Sequence, residues 1–106
     1  MGSIRDFQRM MKNIYYERDV ERGAHRAALW LFSEVGELAD AIVKGDVEAL
    51  NREASDVLAW LCSLCNLFNV DLEKSAYQRY SHRCPKCEVS PCKCPKEWEN
   101  LQQRGC

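Results

Sequence analysis

Gly45 is a mirror point in the sequence. Before it lies Trp30-x3-Glu34-x2-Glu37. After it lies Glu53-x2-Asp56-x3-Trp60, the same pattern in reverse with one aspartate for a glutamate. Both halves sit in stretches where apolar residues recur every three or four positions, the period of an α-helix. Two helices joined by a tight turn at Gly45 would run antiparallel. Glu37 would then stand level with Glu53, Glu34 with Asp56, and Trp30 with Trp60. At about 100° per residue, the acidic pair on each helix lies roughly 60–120° to one side of its apolar stripe. A two-fold axis between antiparallel helices preserves that side, so the four carboxylates open onto one face of the hairpin, beside its apolar seam.

The remaining helices follow from caps and periodicity. The first runs from about Ser3 to Arg22, with Phe7, Met10, Met11 and Ile14 as its stripe and Gly23 as its stop. Ser3-Ile-Arg-Asp6 resembles a capping box with Asp in the Glu position. The second runs from about Ala24 to Lys44 on Ala28, Leu31, Val35, Leu38 and Ile42. The third runs from about Val47 to Asn69 on Leu50, Ala54, Val57, Leu61, Cys65 and Phe68, with Asp46 as its N-cap. Asp71 opens a short fourth helix, about Leu72 to Ser81. No sustained alternation and no hairpin-turn dipeptide signals a strand. The expected fold is all-α: a four-helix body around a central antiparallel hairpin, followed by a short irregular cysteine-rich tail.

Carboxylates gathered this closely repel one another. Two like charges 4 Å apart cost about 4 kcal/mol at an effective dielectric near 20, and four would accumulate several such terms. A cation is needed, and oxygen-only ligands select a hard one, Mg²⁺ or Mn²⁺, over Zn²⁺. Glu34, Glu37, Glu53 and Asp56 are the candidate ligands. Such a site draws in substrates bearing phosphates. Trp30 and Trp60 either pack together or offer a stacking surface for a base.

The runs Leu29-Trp30-Leu31-Phe32-Ser33-Glu34-Val35-Gly36-Glu37-Leu38-Ala39 and Arg52-Glu53-Ala54-Ser55-Asp56-Val57-Leu58-Ala59-Trp60 resemble the MazG family of all-α nucleoside triphosphate pyrophosphohydrolases. The family motif is E-E-x-x-E, a helical hairpin, then E-x-x-D. The likeness extends more loosely over about residues 3–80. It implies Mg²⁺-dependent hydrolysis of an NTP or dNTP to the monophosphate and pyrophosphate, with Mg²⁺ held at Glu34, Glu37, Glu53 and Asp56. It departs at Ser33, where the first glutamate of the motif should stand, and a serine cannot act as a carboxylate ligand or base. Glu34 or Glu37 would then take the catalytic role by accepting a proton from the attacking water. Substrate contacts are expected from Trp30, Trp60, Asn66, Lys74 and Arg79. Asn66 is read either as a reach to sugar or base or as a hydrogen bond within the body. His82, Arg83, Arg26 and Lys44 are further cations within the same reasoning. An alternative function is a catalytically inactive nucleotide-binding or structural relative.

Seven cysteines are an odd feature for such an enzyme. Cys62 and Cys65 lie in an apolar helical run and read as buried thiols in a reducing compartment. Cys84-Pro-Lys-Cys87 and Cys92-Lys-Cys94 give C-x2-C-x4-C-x-C, bent by Pro85, Pro91 and Pro95. Four thiolates in a proline-bent loop suit a tetrahedral Zn²⁺ site; a tail of free thiols is the other reading. His82 could replace one ligand, and Cys106 has no evident partner. Residues 1–81 are expected to form the MazG-like catalytic domain. Residues 82–106 form the tail, either a zinc site or, in the alternative function, a zinc-dependent interaction module.

Charge and hydropathy bound the partners. With 15 Lys and Arg against 16 Asp and Glu, the net charge is −1, which argues against nucleic acid as a partner. No apolar run approaches the roughly 20 residues of a membrane span. The first residues lack the apolar stretch of a signal peptide, so a cytoplasmic setting is expected. The second and third helices carry apolar residues beyond one stripe, including Leu29, Phe32, Leu58 and Leu64. A body of about 80 residues cannot cover them all, and a homo-oligomer, a dimer or a dimer of dimers, is expected.

Overall fold

A computed structural model describes residues 2–96. It contains four α-helices: α1 (Ile4–Arg22), α2 (Ala24–Lys44), α3 (Val47–Leu67) and α4 (Leu72–Tyr80). No strand occurs among the described residues. The chain divides into two compact units, with the boundary inside α4 between Glu73 and Lys74.

Local signals set the helix ends. The Ser3 hydroxyl accepts from the Asp6 backbone N–H at 3.1 Å, and the Asp6 carboxylate accepts from the Ser3 N–H at 3.3 Å. This reciprocal pair satisfies two donors that a helix start would otherwise leave bare. Gly23 ends α1 at φ +88°, a conformation that costs glycine little, and α2 begins at the next residue. Gly45 closes α2 at φ +67°, ψ 23°, with its N–H reaching back to the carbonyls of Ala41 and Ile42. The Asp46 side chain then caps α3 by accepting the Ala49 N–H at 3.1 Å. A link this short forces α3 back along α2, and the expected antiparallel hairpin results.

α3 is the central helix of the first unit and packs against both α2 and α1. The fully buried positions are few and mostly small or polar: Gln8, Met11 and Asp19 on α1, Ala27 and Ala41 on α2, and Cys62 and Ser63 on α3. The inward line of α2 is therefore Ala27, Leu31, Glu34, Leu38 and Ala41. This corrects the expected stripe at three places: Ala28, Val35 and Ile42 face outward, the last at 60% exposure. α2 carries apolar residues on more than one face, so periodicity offers two lines that share Leu31 and Leu38 and differ by one residue elsewhere. The inward line begins and ends in alanine, Ala27 and Ala41, the two buried residues of α2. Met10 and Ile14 on α1, and Ala54 and Phe68 of the stripe expected for α3, are likewise exposed rather than buried; Phe68 is the C-cap, one residue past the helix.

One polar side chain ties three parts of this unit together. The Gln8 amide nitrogen donates to Asn66 Oδ1 at 3.0 Å and to the Val70 carbonyl at 2.7 Å. Its oxygen accepts the Leu72 N–H at 3.0 Å, in the first turn of α4. Asn66 Nδ2 in return donates to the Gln8 carbonyl at 3.1 Å. Arg5 adds ion pairs to Asp71 and Glu73, each at 2.9 Å. The turn after α3, with Asn69 at φ +55°, is thus pinned to α1.

The second unit continues α4 from Lys74 to Tyr80 and then runs through turns without regular structure. The Cys84 N–H donates to the Val89 carbonyl at 3.0 Å, and the Glu88 N–H to the Cys84 carbonyl at 2.8 Å. Cys84, Cys87, Cys92 and Cys94 gather in this loop, whereas Cys106 lies outside the described residues. No helix among the described residues is long and apolar enough to cross a membrane.

The Gln8 tie predicts a specific weakness. Gln8→Ala leaves partly buried partners on α3, on the following turn and on α4 without their bonds, and should lower unfolding stability by about 1–3 kcal/mol. Urea denaturation followed by circular dichroism measures this; an unchanged midpoint would show that the tie contributes nothing.

Candidate active site

The hairpin register brings the mirrored residues together. Trp30 and Trp60 stack with ring centroids 6.1 Å apart and planes 10° from parallel. Beyond them, Glu34, Glu37 and Glu53 each offer a carboxylate oxygen, and the three oxygens lie within 4.8 Å of one another. Their helices explain the convergence. Glu34 occupies the inward line of α2, Glu37 sits one turn on at its exposed edge, and Glu53 looks across from α3.

The electrostatics of this cluster are unfavourable as it stands. Glu34 Oε2 and Glu53 Oε2 are buried and have no hydrogen-bond partner among the described residues. The other Glu53 oxygen, Oε1, lies 3.5 Å from Arg52 Nε. The Glu34 carboxyl is pushed up to about 7, first by burial, then by the close Glu53 carboxyl and the charge of Glu37; Asp56 adds a smaller push. Buried acceptors without donors are costly, and converging anionic oxygens are the donor set that a hard divalent cation takes. The residues therefore fit such an ion.

Asp56 stands somewhat apart from these three. It is close enough to act on Glu34 through its charge, and it lines an adjoining cavity of about 150 Å³. Tyr15, Asp19 and Arg22 from α1 line the same cavity, with Ala59, Trp60 and Ser63 from α3. Asp19 is 1% exposed; its Oδ1 pairs with Arg22 Nη1 at 3.0 Å, and its Oδ2 is a buried acceptor without a partner among the described residues. The Arg22 guanidinium lies 4.9 Å from the Trp60 ring centroid, a cation–π contact. Sequence reasoning missed these α1 residues. The available signal was an acid and a base at i, i+3 (Asp19 and Arg22), with Asp19 continuing the four-residue steps of Met11 and Tyr15.

The other expected contacts are placed differently. Both ends of the Asn66 amide are engaged with Gln8, so of its two readings the structure has the hydrogen bond within the body. Lys74 and Arg79 are exposed on α4, in the second unit. Lys44 pairs with Asp40 at 2.9 Å. Ser33 is exposed on α2.

Comparison with known proteins adds one finding. The family model of the MazG nucleotide pyrophosphohydrolase domain matches residues 22–88, more than half of the chain. The match covers the whole hairpin with its two acidic motifs and reaches Cys84 and Cys87, but ends before Cys92 and Cys94. No curated protein matches the chain.

The raised Glu34 carboxyl predicts a pH signature in the metal-free protein. Its folded pKa lies above its unfolded one, so its stabilising contribution is present below about 4.5 and is lost as pH rises through about 7. Glu34→Gln should remove that loss: the variant should melt higher than the wild type at pH 8 and show a flatter melting temperature between these limits. Thermal melts in the presence of a chelator test this. A wild-type slope that persists in the variant assigns the effect to other groups.

Proposed function

The chain belongs to the MazG nucleotide pyrophosphohydrolase family, and from that premise we propose that it hydrolyses a nucleoside triphosphate, NTP or dNTP, to the monophosphate and pyrophosphate with Mg²⁺ as its cofactor. The observation that carries this reading is the convergence of Glu34, Glu37 and Glu53 oxygens within 4.8 Å, two of these residues holding a buried oxygen without a partner. Mn²⁺ suits the same donors.

Glu34, Glu37 and Glu53 would hold the ion, with Asp56 as a fourth, more distant acid. A bound divalent cation supplies neutralisation of the triphosphate oxygens and of the charge that develops on the leaving pyrophosphate. The chain's own work is positioning and proton transfer. A carboxylate not fully used by the ion, Glu37 at the exposed edge or Glu34 beside it, orients a water toward the α-phosphorus and accepts its proton. Ser33 is too weak an acceptor for that role. The Trp30–Trp60 pair, with Arg22 against Trp60, supplies the apolar and cationic surface on which a base can rest. Lys74 and Arg79 are proposed as phosphate contacts on charge alone.

The active form is a homo-oligomer. α2 exposes Leu29 at 70%, Phe32 at 77% and Val43 at 84%, a density of bare apolar side chains that a monomer in water rarely carries. A second copy of the same chain is the occupant of this face, as a dimer or a dimer of dimers.

A panel of NTPs, dNTPs and modified nucleotides with Mg²⁺, followed by pyrophosphate release, tests the activity and ranks the substrates. Glu37→Gln should abolish turnover while leaving helical circular dichroism unchanged; retained turnover would sink the assignment. Nucleotide binding without pyrophosphate release in the wild type would identify the inactive relative. Sedimentation at micromolar concentration should give at least a dimer, and a monomer would contradict the oligomer.

A further inference from the structure

The loop after α4 brings four cysteines together around a point the nucleotide chemistry does not use. One Sγ from each of Cys84, Cys87, Cys92 and Cys94 lies within 4.8 Å of all the others. The Cys84–Cys94 sulfurs are 3.8 Å apart and the Cys87–Cys92 sulfurs 3.9 Å. A tetrahedron with Zn–S bonds of about 2.3 Å has edges of about 3.8 Å, so the two opposite pairs have the spacing of a four-thiolate metal site. These separations are far longer than a disulfide bond of about 2.05 Å.

The backbone around the sulfurs is arranged for ligation. The Lys93 N–H donates to Cys87 Sγ at 3.3 Å, and the Cys94 N–H to Cys92 Sγ at 3.4 Å. Such N–H···S bonds orient thiolate ligands and spread their charge. Glu88 sits at φ +62°, a left-handed residue immediately after Cys87, and its N–H closes the turn onto the Cys84 carbonyl at 2.8 Å. This bends C-x2-C into a compact knuckle. The segment from residue 81 to residue 96 contains no helix or strand and has few large apolar side chains to bury. A loop of this kind lacks a core of its own, and a metal centre would take its place.

We propose that Cys84, Cys87, Cys92 and Cys94 bind one structural Zn²⁺ per chain. All four positions are filled by protein sulfur, so no coordination site is left open for water or substrate, and the ion's role is to fix the loop. His82 stays outside the cluster. Zn²⁺ is preferred to iron because it is redox-inert and tetrahedral four-thiolate sites are its usual structural form. The site is independent of the carboxylate cluster, whose oxygen donors select a different class of ion.

The test uses the full chain purified without chelator. Titration of its thiols with a mercurial reagent, with a chromogenic chelator present, should release about one zinc per chain as the tail thiols are consumed; ions on carboxylates are not released by thiol modification. Cys87→Ser and Cys92→Ser should reduce thiol-linked zinc from about one equivalent to none, while Cys62→Ser retains it. Replacement by Co²⁺ should give the intense thiolate-to-metal absorption of a tetrahedral sulfur site. Should the serine variants fail to fold, release and Co²⁺ absorption in the wild type decide the question alone. Zinc release unaffected by Cys87→Ser in a folded variant, iron in place of zinc, or a metal-free protein whose four thiols are paired as disulfides or titrate freely would each overturn the proposal.

Discussion

Glu34 lies in the line of side chains that α2 turns toward α3, and that placement governs the rest of the hairpin. A carboxylate in a packed seam must have donors, a proton or a cation. Its nearest polar neighbours are two further glutamates. Each like-charge pair within 4.8 Å costs at least about 3 kcal/mol at an effective dielectric near 20. The seam is therefore at odds with itself unless a proton or a cation neutralises it. Residues that would strengthen a simple helical core are replaced here by groups that ask for a ligand, the usual trade between stability and function.

Polar side chains take nearly half of the buried positions in the first unit. Gln8, Asp19 and Ser63 are buried where a larger bundle would place leucines, while Leu29, Phe32 and Val43 stand in solvent. A single chain of this composition is inside-out in part. Its interior holds a cluster of carboxylates, and its surface carries large apolar side chains. Gln8 and Asn66 compensate locally, since their paired amides fix α1, the end of α3 and the start of α4 with directional bonds rather than with volume.

Two chemistries occupy separate parts of the chain. Oxygen donors on the hairpin suit a hard ion and phosphates, and sulfur donors in the tail suit a soft, closed site. The tail's four sulfurs are gathered by turns within the loop itself, two of them receiving backbone N–H bonds from Lys93 and Cys94. The hairpin site depends wholly on helix packing. Loss of one need not imply loss of the other.

The sequence by itself determined the helices and the hairpin. Their ends are written in Ser3, Gly23, Gly45 and Asp46, and the level pairing of Trp30 with Trp60 follows from spacing about a short turn, because capping and turn geometry are local. The cysteine spacing was local in the same sense. Which face of α2 turned inward was not, since two lines that share Leu31 and Leu38 satisfy the same period. Only the packing against α3 chose Ala27 and Ala41 over Ala28 and Ile42. The tertiary structure also decided that Asn66 meets Gln8 and that α1 contributes Asp19 and Arg22 beside Trp60. These contacts join residues far apart in the chain, and the charge and spacing of a single segment carry no record of what will pack against it.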